Sequence, residues 1–372
     1  MIIRLFILSN IFAFSTLCHA QESYKRTLDS LIHQIVQKYQ VPSLSVVVCN
    51  VDSAIYANAY GVKRKGTVDS VNLDSKYYWA SVSKVFTASA IMKLKEQDKL
   101  QIDDFVIKHY PEFSQLIKKG EFSSDSITIR HLLSHSSGLP KFNRNWLITD
   151  ERNNLDLEES LSNRKKVKLS FKVGSDYQYS NMGMGVLGVI IERTSALSYI
   201  DYIRQNIFYP LQLSESTFDE VNNLIDTSIA TPHIWSKKQG DFIVKNEKIY
   251  TKASTASGGL KMSPNDMSKW LIECMKIYKG EDGFIKQSTL KEMWSQYKTF
   301  NALGWDFEGE AEYWGKGPYL AKGGNLEYMS DSYFVIIPDR ELAISISVNA
   351  TSDGFDGING FANQIIEMAL KI

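Results

Sequence analysis

The sequence predicts an α/β protein of the α+β type. One antiparallel sheet is drawn from both chain ends and flanked by the terminal helices, and a mostly helical sub-domain packs beside it with a cleft between. Three observations carry this. Leu28, Leu31, Ile32, Ile35, Val36 and Tyr39 recur at helical spacing, and two strand-like runs, Leu44 to Cys49 and Ile55 to Tyr60, follow around the turn Asn50-Val51-Asp52-Ser53. Near the other end, Tyr333 to Ile337 and Leu342 to Val348 flank the turn Pro338-Asp339-Arg340-Glu341, and Ile358, Phe361, Ala362, Ile365, Ala369 and Ile372 form a closing amphipathic stripe. The long middle is richer in helical periodicity. The sheet part is therefore expected over about residues 21–78 and 296–372, and the helical part over about 79–295.

The chain begins with a separate element. Arg4 precedes the mostly apolar stretch Leu5 to Leu17, and Cys18-His19-Ala20 supplies small residues where a signal peptidase reads. Residues 1–20 are read as a secretory signal peptide, too short for a membrane span, which needs about 20 residues. Export to the periplasm or the medium is expected. Anchoring through Cys18 is not, because Leu17 is large where a lipoprotein signal has a small residue. No later stretch could serve as a membrane anchor.

The 372 residues carry 42 Lys+Arg and 42 Asp+Glu, with 44% hydrophobic and 12% aromatic residues. Removing Arg4 with the leader leaves a net charge of −1. These proportions exclude disorder and give no basic excess for nucleic acid. Cys49 and Cys274 are the cysteines left after the leader, each in an apolar context; buried thiols are expected, with a single bridge left open. His131 and His135 lie four apart without an acidic third ligand at a recognisable spacing, so structural histidines are expected and no metal or other cofactor. His33, His109 and His233 are isolated.

Three short motifs could carry chemistry. Ser81-Val82-Ser83-Lys84 opens the run Val85 to Leu94, apolar or small almost all round, which marks a buried helix. Ser81 and Lys84 fall on one face, about 5–6 Å apart at Cβ. A desolvated lysine can take the serine proton, and a helix N-terminus favours the developing negative charge. Ser81 as a helix cap with Lys84 on the surface is the other reading. Tyr179-Ser180-Asn181 precedes a second buried helix; the phenol can move protons and the amide can hold a carbonyl, or the pair is a packed tyrosine and an Asn cap. Lys322-Gly323-Gly324-Asn325 precedes the C-terminal hairpin, where glycines let a ligand approach the backbone and a lysine adds charge, or make a plain turn.

In this order the three motifs resemble those of the serine β-lactamase and penicillin-binding protein superfamily, and Tyr179-x-Asn181 resembles its class C β-lactamase branch. Leu100-Gln101-Ile102-Asp103-Asp104 with Tyr110-Pro111-Glu112-Phe113 is similar to that branch's L-x-L-D-D and Y-x-P-E-F segment. Thr128 to Pro140 resembles T-I-R-H-L-L-T-H-T-S-G-L, and Gly258-Gly259-Leu260 with Asp266 resembles a later G-G-L and Asp stretch. The likeness runs over about residues 25–370.

The resemblance implies a site in the cleft. Ser81 would be the acylated nucleophile, Lys84 its proton-accepting partner and Tyr179 a general base or acid. Asn181 would position the substrate amide, and Lys322 would steady Tyr179 and a substrate carboxylate. The backbone N–H groups of Ser81 and Asn325 would form the oxyanion hole beside Gly323 and Gly324. Which of Lys84 and Tyr179 is the base stays open. The expected partner is a small-molecule or peptide substrate, with amide or ester bonds cleaved and D-amino-acid peptides or esters foremost. A penicillin-binding-type protein that acylates without efficient turnover, a β-lactamase, and a pseudoenzyme are the alternatives. K-G-G departs from the K-T-G of β-lactamases and the H-x-G of esterase-like members, and Glu327-Tyr328-Met329 stands where P-G-F is usual; both weigh against β-lactam hydrolysis. No G-x-S-x-G elbow occurs, which argues against an α/β-hydrolase. Two lysines converging beside Ser81 lead to a further expectation, an anionic, carboxylate-bearing substrate.

Overall fold

The computed structural model describes residues 22–141, 156–162, 166–219, 226–244, 252–297, 301–308, 319–326, 329–351 and 358–371. The leader and the Glu327-Tyr328 pair lie outside them. The strands are β1 (Ser43–Cys49), β2 (Ala54–Gly61), β3 (Tyr77–Ala80), β4 (Ser216–Thr217), β5 (His233–Ser236), β6 (Asp241–Val244), β7 (Leu260–Met262), β8 (Asp306–Glu308), β9 (Tyr319–Asn325), β10 (Asp331–Ile337), β11 (Leu342–Val348) and β12 (Ala350–Thr351).

The main sheet has the order β2-β1-β11-β10-β9-β8 and is antiparallel throughout. Its seam joins the two chain ends: Leu44, Val46 and Val48 of β1 face Val348, Ile346 and Ile344 of β11. These residues share one buried cluster with Leu28, Ile32 and Ile35 of the first helix (residues 22–39) and with Phe361, Ala362 and Ile365 of the last helix (Asn359–Ala369). Each fully buried Val, Leu or Ile contributes roughly 1.5–3 kcal/mol, so this layer holds the ends of the chain together.

The alternate residues face the other way. Val47, Cys49, Phe334, Ile336 and Ala343 join a second cluster with Trp270, Leu271 and Cys274 of the helix Pro264–Lys279. Ser45 and Ser347, 2% and 0% exposed, share a hydrogen bond of 2.6 Å on this face. The small, polar stripe of β11 is thus buried under a helix. A one-residue register slip would push these serines under the terminal helices, which is why the register is specified. Cys49 and Cys274 are both buried and unpaired.

The middle of the chain is less purely helical than its periodicity suggests. β3, β7 and β4 form a small sheet, and β12, β5 and β6 another. Strands of two to four residues are too short to show an alternation, so only the fold reveals them. The predicted buried helix is Ser83–Glu96, with Ser83 to Met92 and Leu94 buried. It packs against the helix Asn181–Ser195, where Gly188 leaves room for a neighbour: a Cβ there would meet Ala256 Cβ at 3.1 Å. No helix among the described residues is long and apolar enough to cross a membrane.

Asp331 ties the start of β10 to the last helix. Its carboxylate, on a residue 8% exposed, accepts the Ile358 N–H at 2.9 Å and the Ser332 N–H at 3.1 Å. Burial outweighs these bonds and pushes the carboxyl up from 3.8 to about 6. An acid whose pKa rises on folding stabilises the fold fully below 3.8, and that contribution is lost as pH rises to about 6. Asp331→Asn cannot ionise, so its stability relative to wild type is expected to rise across this window by on the order of 3 kcal/mol, read by denaturant unfolding at a series of pH values.

Candidate active site

Ser81 stands at the junction of these layers. β3 brings the chain through the core as far as Ala80, whose φ of +44° turns it sharply, and the helix begins at Ser83. Ser81 therefore precedes the first turn and makes no cap; Val82 occupies that position without a side-chain bond. The buried Ser83 hydroxyl donates to the Ala80 carbonyl at 2.6 Å and accepts the Leu260 N–H at 2.9 Å, which fastens the turn to β7.

Lys84 follows one turn later and is 0% exposed, not a surface residue. Its Nζ lies 3.0 Å from Ser81 Oγ and donates to the Ser257 carbonyl at 2.6 Å. Burial, then the charges of Lys322 and Lys141, hold its pKa well below the usual 10.5, and Asp306 alone opposes them. A neutral amine beside a serine hydroxyl is thereby favoured.

Tyr179 reaches Ser81 from the other side, donating its phenol O–H to Ser81 Oγ at 2.7 Å. Burial raises its pKa far above 10, while the Ser81 hydrogen bond lowers it. The phenol is thus held protonated, with Lys84 Nζ 4.8 Å and Lys322 Nζ 5.6 Å from its ring centre. Ser180, between the two motif residues, caps the next helix: its Oγ accepts the Gly183 N–H at 2.9 Å and donates to the Pro140 carbonyl at 2.8 Å. Because Ser180 is the cap, Asn181 is spared that task, and its buried Oδ1 has no hydrogen-bond partner among the described residues. An orphaned buried amide oxygen costs about 1–3 kcal/mol unless a ligand supplies a donor.

The third motif lies on β9, whose partner β8 reaches only as far as Ala321. Lys322, 2% exposed, is bonded through Nζ to Asp306 Oδ1 at 2.5 Å. The site thus does not hold two unpaired positive charges as expected: one ammonium is driven toward neutrality and the other is paired with a carboxylate. The glycines also differ in their reason. A Cβ at Gly324 would fall 2.1 Å from the Trp79 carbonyl oxygen and 2.6 Å from Ser332 Oγ, so this glycine makes room for β3 rather than for a ligand. At Gly323 the nearest atoms are 3.7 and 3.9 Å away, ordinary contact distance. Asn325 is exposed at the end of β9, beside Gly324.

Two further residues belong to the site, and the sequence singles out neither of them for it. Asp306 follows Gly304-Trp305, where no motif is evident. His135 sits inside the Thr128 to Pro140 segment with φ +56°, its ring 4.7 Å from that of Tyr179. Its Nδ1 accepts the Ser180 N–H at 3.2 Å, and burial followed by the charges of Lys322 and Lys84 holds its pKa well below 6.5. A neutral His135 therefore backs Tyr179. His131 forms a capping box with Thr128, a structural task. Among the described residues no cluster of three His, Cys, Asp or Glu side chains could hold a metal.

A serine flanked by a buried lysine and a tyrosine, where a helix meets an antiparallel sheet, defines the β-lactamase and penicillin-binding class of folds. Residues 28–365 match the Beta-lactamase family, and the chain belongs to it. Protein flp of Staphylococcus aureus (strain MW2) is 28% identical over 251 residues, 66% of this chain and 48% of that protein. Penicillin-binding protein 4* of Bacillus subtilis (strain 168) is 30% identical over 200 residues, 53% of this chain and 42% of that protein. The chain spans about half the length of the curated relatives it matches. Among solved structures, EstCE1, a hydrolase with promiscuous acyltransferase activity, superposes with a TM-score of 0.77 at 19% identity, over 94% of this chain and 99% of that one. A class C β-lactamase gives 0.74 at 20% identity, over 95% and 97%. The penicillin-binding protein homologue from Pyrococcus abyssi gives 0.74 at 24%, over 92% and 76%.

The two glycines of the third motif are expected to respond differently to an added methyl. Gly324→Ala forces β9 away from β3 and is expected to lose about 2 kcal/mol or more, in the range of core overpacking. Gly323→Ala is expected to stay within about 1 kcal/mol of wild type, with thermal unfolding of both variants as the measurement.

Proposed function

We propose that this protein is an exported serine hydrolase that cleaves amide or ester bonds through an acyl-enzyme on Ser81, with D-amino-acid peptides or esters as substrates. The observation that carries the reading is the convergence on one oxygen: Ser81 Oγ lies 3.0 Å from Lys84 Nζ and 2.7 Å from the Tyr179 hydroxyl. The relatives support the reaction class, since the solved neighbours include a hydrolase with acyltransferase activity and β-lactamases.

The two pKa directions divide the proton work. Neutral Lys84 takes the Ser81 proton as Oγ attacks the substrate carbonyl carbon. The oxyanion accepts hydrogen bonds from the backbone N–H groups of Ser81 and Asn325, where charge develops in the transition state. Tyr179 gives its proton to the departing amine or alkoxide, and the Lys84 ammonium restores it to the phenolate. Asn181 Oδ1 takes the N–H of the substrate amide. Water then attacks the ester carbonyl, the catalytic groups again handle the proton, and Ser81 Oγ leaves with its hydrogen restored. Export rests on residues 1–20, and the mature chain would begin at Gln21.

Labelling, kinetics and N-terminal processing test this. A fluorophosphonate is expected to label wild type at Ser81, and Ser81→Ala to lose both the label and hydrolysis of p-nitrophenyl esters; turnover surviving in that variant sinks the mechanism. A fluorescent penicillin in the same series separates labelling without turnover from hydrolysis. Lys84→Ala and Tyr179→Phe are each expected to slow acylation by about 10²–10⁴-fold, the usual reach of a positioned acid or base. The acid limb of kcat/KM reports loss of the neutral amine: activity is expected to fall as pH drops through a pKa well below 10.5, and Lys84→Ala removes that limb. N-terminal sequencing of the secreted product is expected to start at Gln21.

A further inference from the structure

The Lys322–Asp306 pair is a built feature of the site. Asp306 opens β8 and lies opposite Ala321 in the register, which sets its carboxylate against the side chain of the next residue, Lys322. The segment before it is pressed against the helix that follows Ser81. Gly304 has φ +78°, and a Cβ there would fall 2.5 Å from Ala88 Cβ and 3.1 Å from the Lys84 carbonyl oxygen. The Gly304 N–H also bonds the Leu133 carbonyl at 2.9 Å. The carboxylate is therefore delivered by a packed backbone, onto an ammonium that is itself 2% exposed. Its own side chain keeps 37% of its surface open. Its field reaches Lys84, Tyr177 and Tyr179.

Resting on the reading of Ser81 as nucleophile, we propose that Asp306 is a specificity-determining residue: by occupying Lys322 it selects acyl substrates that are uncharged at the group lying against that lysine, and disfavours those with a free carboxylate there. A substrate carboxylate brought to Lys322 would meet Asp306 within a few ångström, a like-charge contact of the kind that proteins use for discrimination. A neutral ester or capped amide meets no such repulsion. The substrates favoured are therefore esters and amide-capped D-amino-acid derivatives rather than peptides whose terminal carboxylate must dock on Lys322.

The experiment uses two matched probe pairs. Mono-p-nitrophenyl succinate and p-nitrophenyl butyrate differ by a carboxylate in the acyl group; 3-carboxyphenylboronic acid and its carboxamide differ likewise as reversible ligands of a serine oxygen. In wild type, the neutral member of each pair is expected to be the better substrate or the equal or tighter ligand. Asp306→Asn is expected to raise the anionic-to-neutral ratio of kcat/KM, and of boronate affinity, by tenfold or more, and Asp306→Glu to restore the wild-type ratio. The titratable and polar groups facing Lys84 are Lys322, Lys141, Asp306, His135, Tyr179 and Ser81, and Asp306 is the one that raises its pKa. Asp306→Asn is therefore also expected to move the acid limb of the pH profile to lower pH, a shift that a merely structural role would not produce. A ratio unchanged within twofold in Asp306→Asn overturns the proposal, as does a carboxylate boronate that binds wild type tenfold tighter than its carboxamide, a comparison that needs no variant. Failure of fluorophosphonate to label Ser81 in wild type overturns the underlying mechanism instead, so the two failures are distinguishable.

Discussion

An ammonium group removed from water costs several kcal/mol unless it is compensated or loses its proton. Lys84 is in that position, fully buried one turn past Ser81, with the Ser257 carbonyl and Ser81 Oγ as its hydrogen-bond partners. Much of the site depends on this constraint. The helix Ser83–Glu96 must be apolar or small at nearly every position, because it is surrounded by protein. Thr87 on the same helix bonds the Ala256 carbonyl at 2.6 Å, which holds the Thr255–Gly258 turn where its Ser257 carbonyl can receive Lys84. The phenol of Tyr179 completes the surroundings of Ser81 Oγ, so the serine lies between an amine that burial pushes toward its neutral form and a phenol that burial keeps protonated.

The same crowding explains the glycines and the turn at Ala80. Gly324 admits the Trp79 carbonyl and Gly304 admits the Lys84 carbonyl, and both contacts bring a strand or its approach against the chain around Ser81. A left-handed alanine costs roughly 1–2 kcal/mol. It is tolerated at Ala80 because β3, β7 and the Ser83 hydroxyl over-determine the turn. The strain sits at the residue adjoining Ser81.

The motifs were legible because their chemistry demands particular side chains at short spacing: Ser81 and Lys84 lie on one helical turn, and Tyr179 and Asn181 flank a cap. The two hairpins and terminal helices were legible because β1, β11 and the helices each carry a clean period. Two classes of feature were hidden. The small strands β3, β4 and β7 are too short to show any period, although β3 delivers Ser81. Asp306 is one charged residue among 42 acidic ones, and nothing local marks it as the partner of Lys322. The alternative of Asn181 as the helix cap is also overturned: the residue before it, Ser180, takes that place, and Asn181 Oδ1 has no partner among the described residues.

The sequence by itself determined the hydrophobic layering, the Ser-Lys and Tyr-Asn pairs and the family, since periodicity and short-range spacing survive without knowledge of the fold. The tertiary structure alone decided the charge of the site. Whether Lys84 and Lys322 act as two cations, one or none depends on burial and on a carboxylate 16 residues away in sequence. Desolvation and Coulomb interaction are functions of distance in space, and a linear chain carries that information only once it is folded.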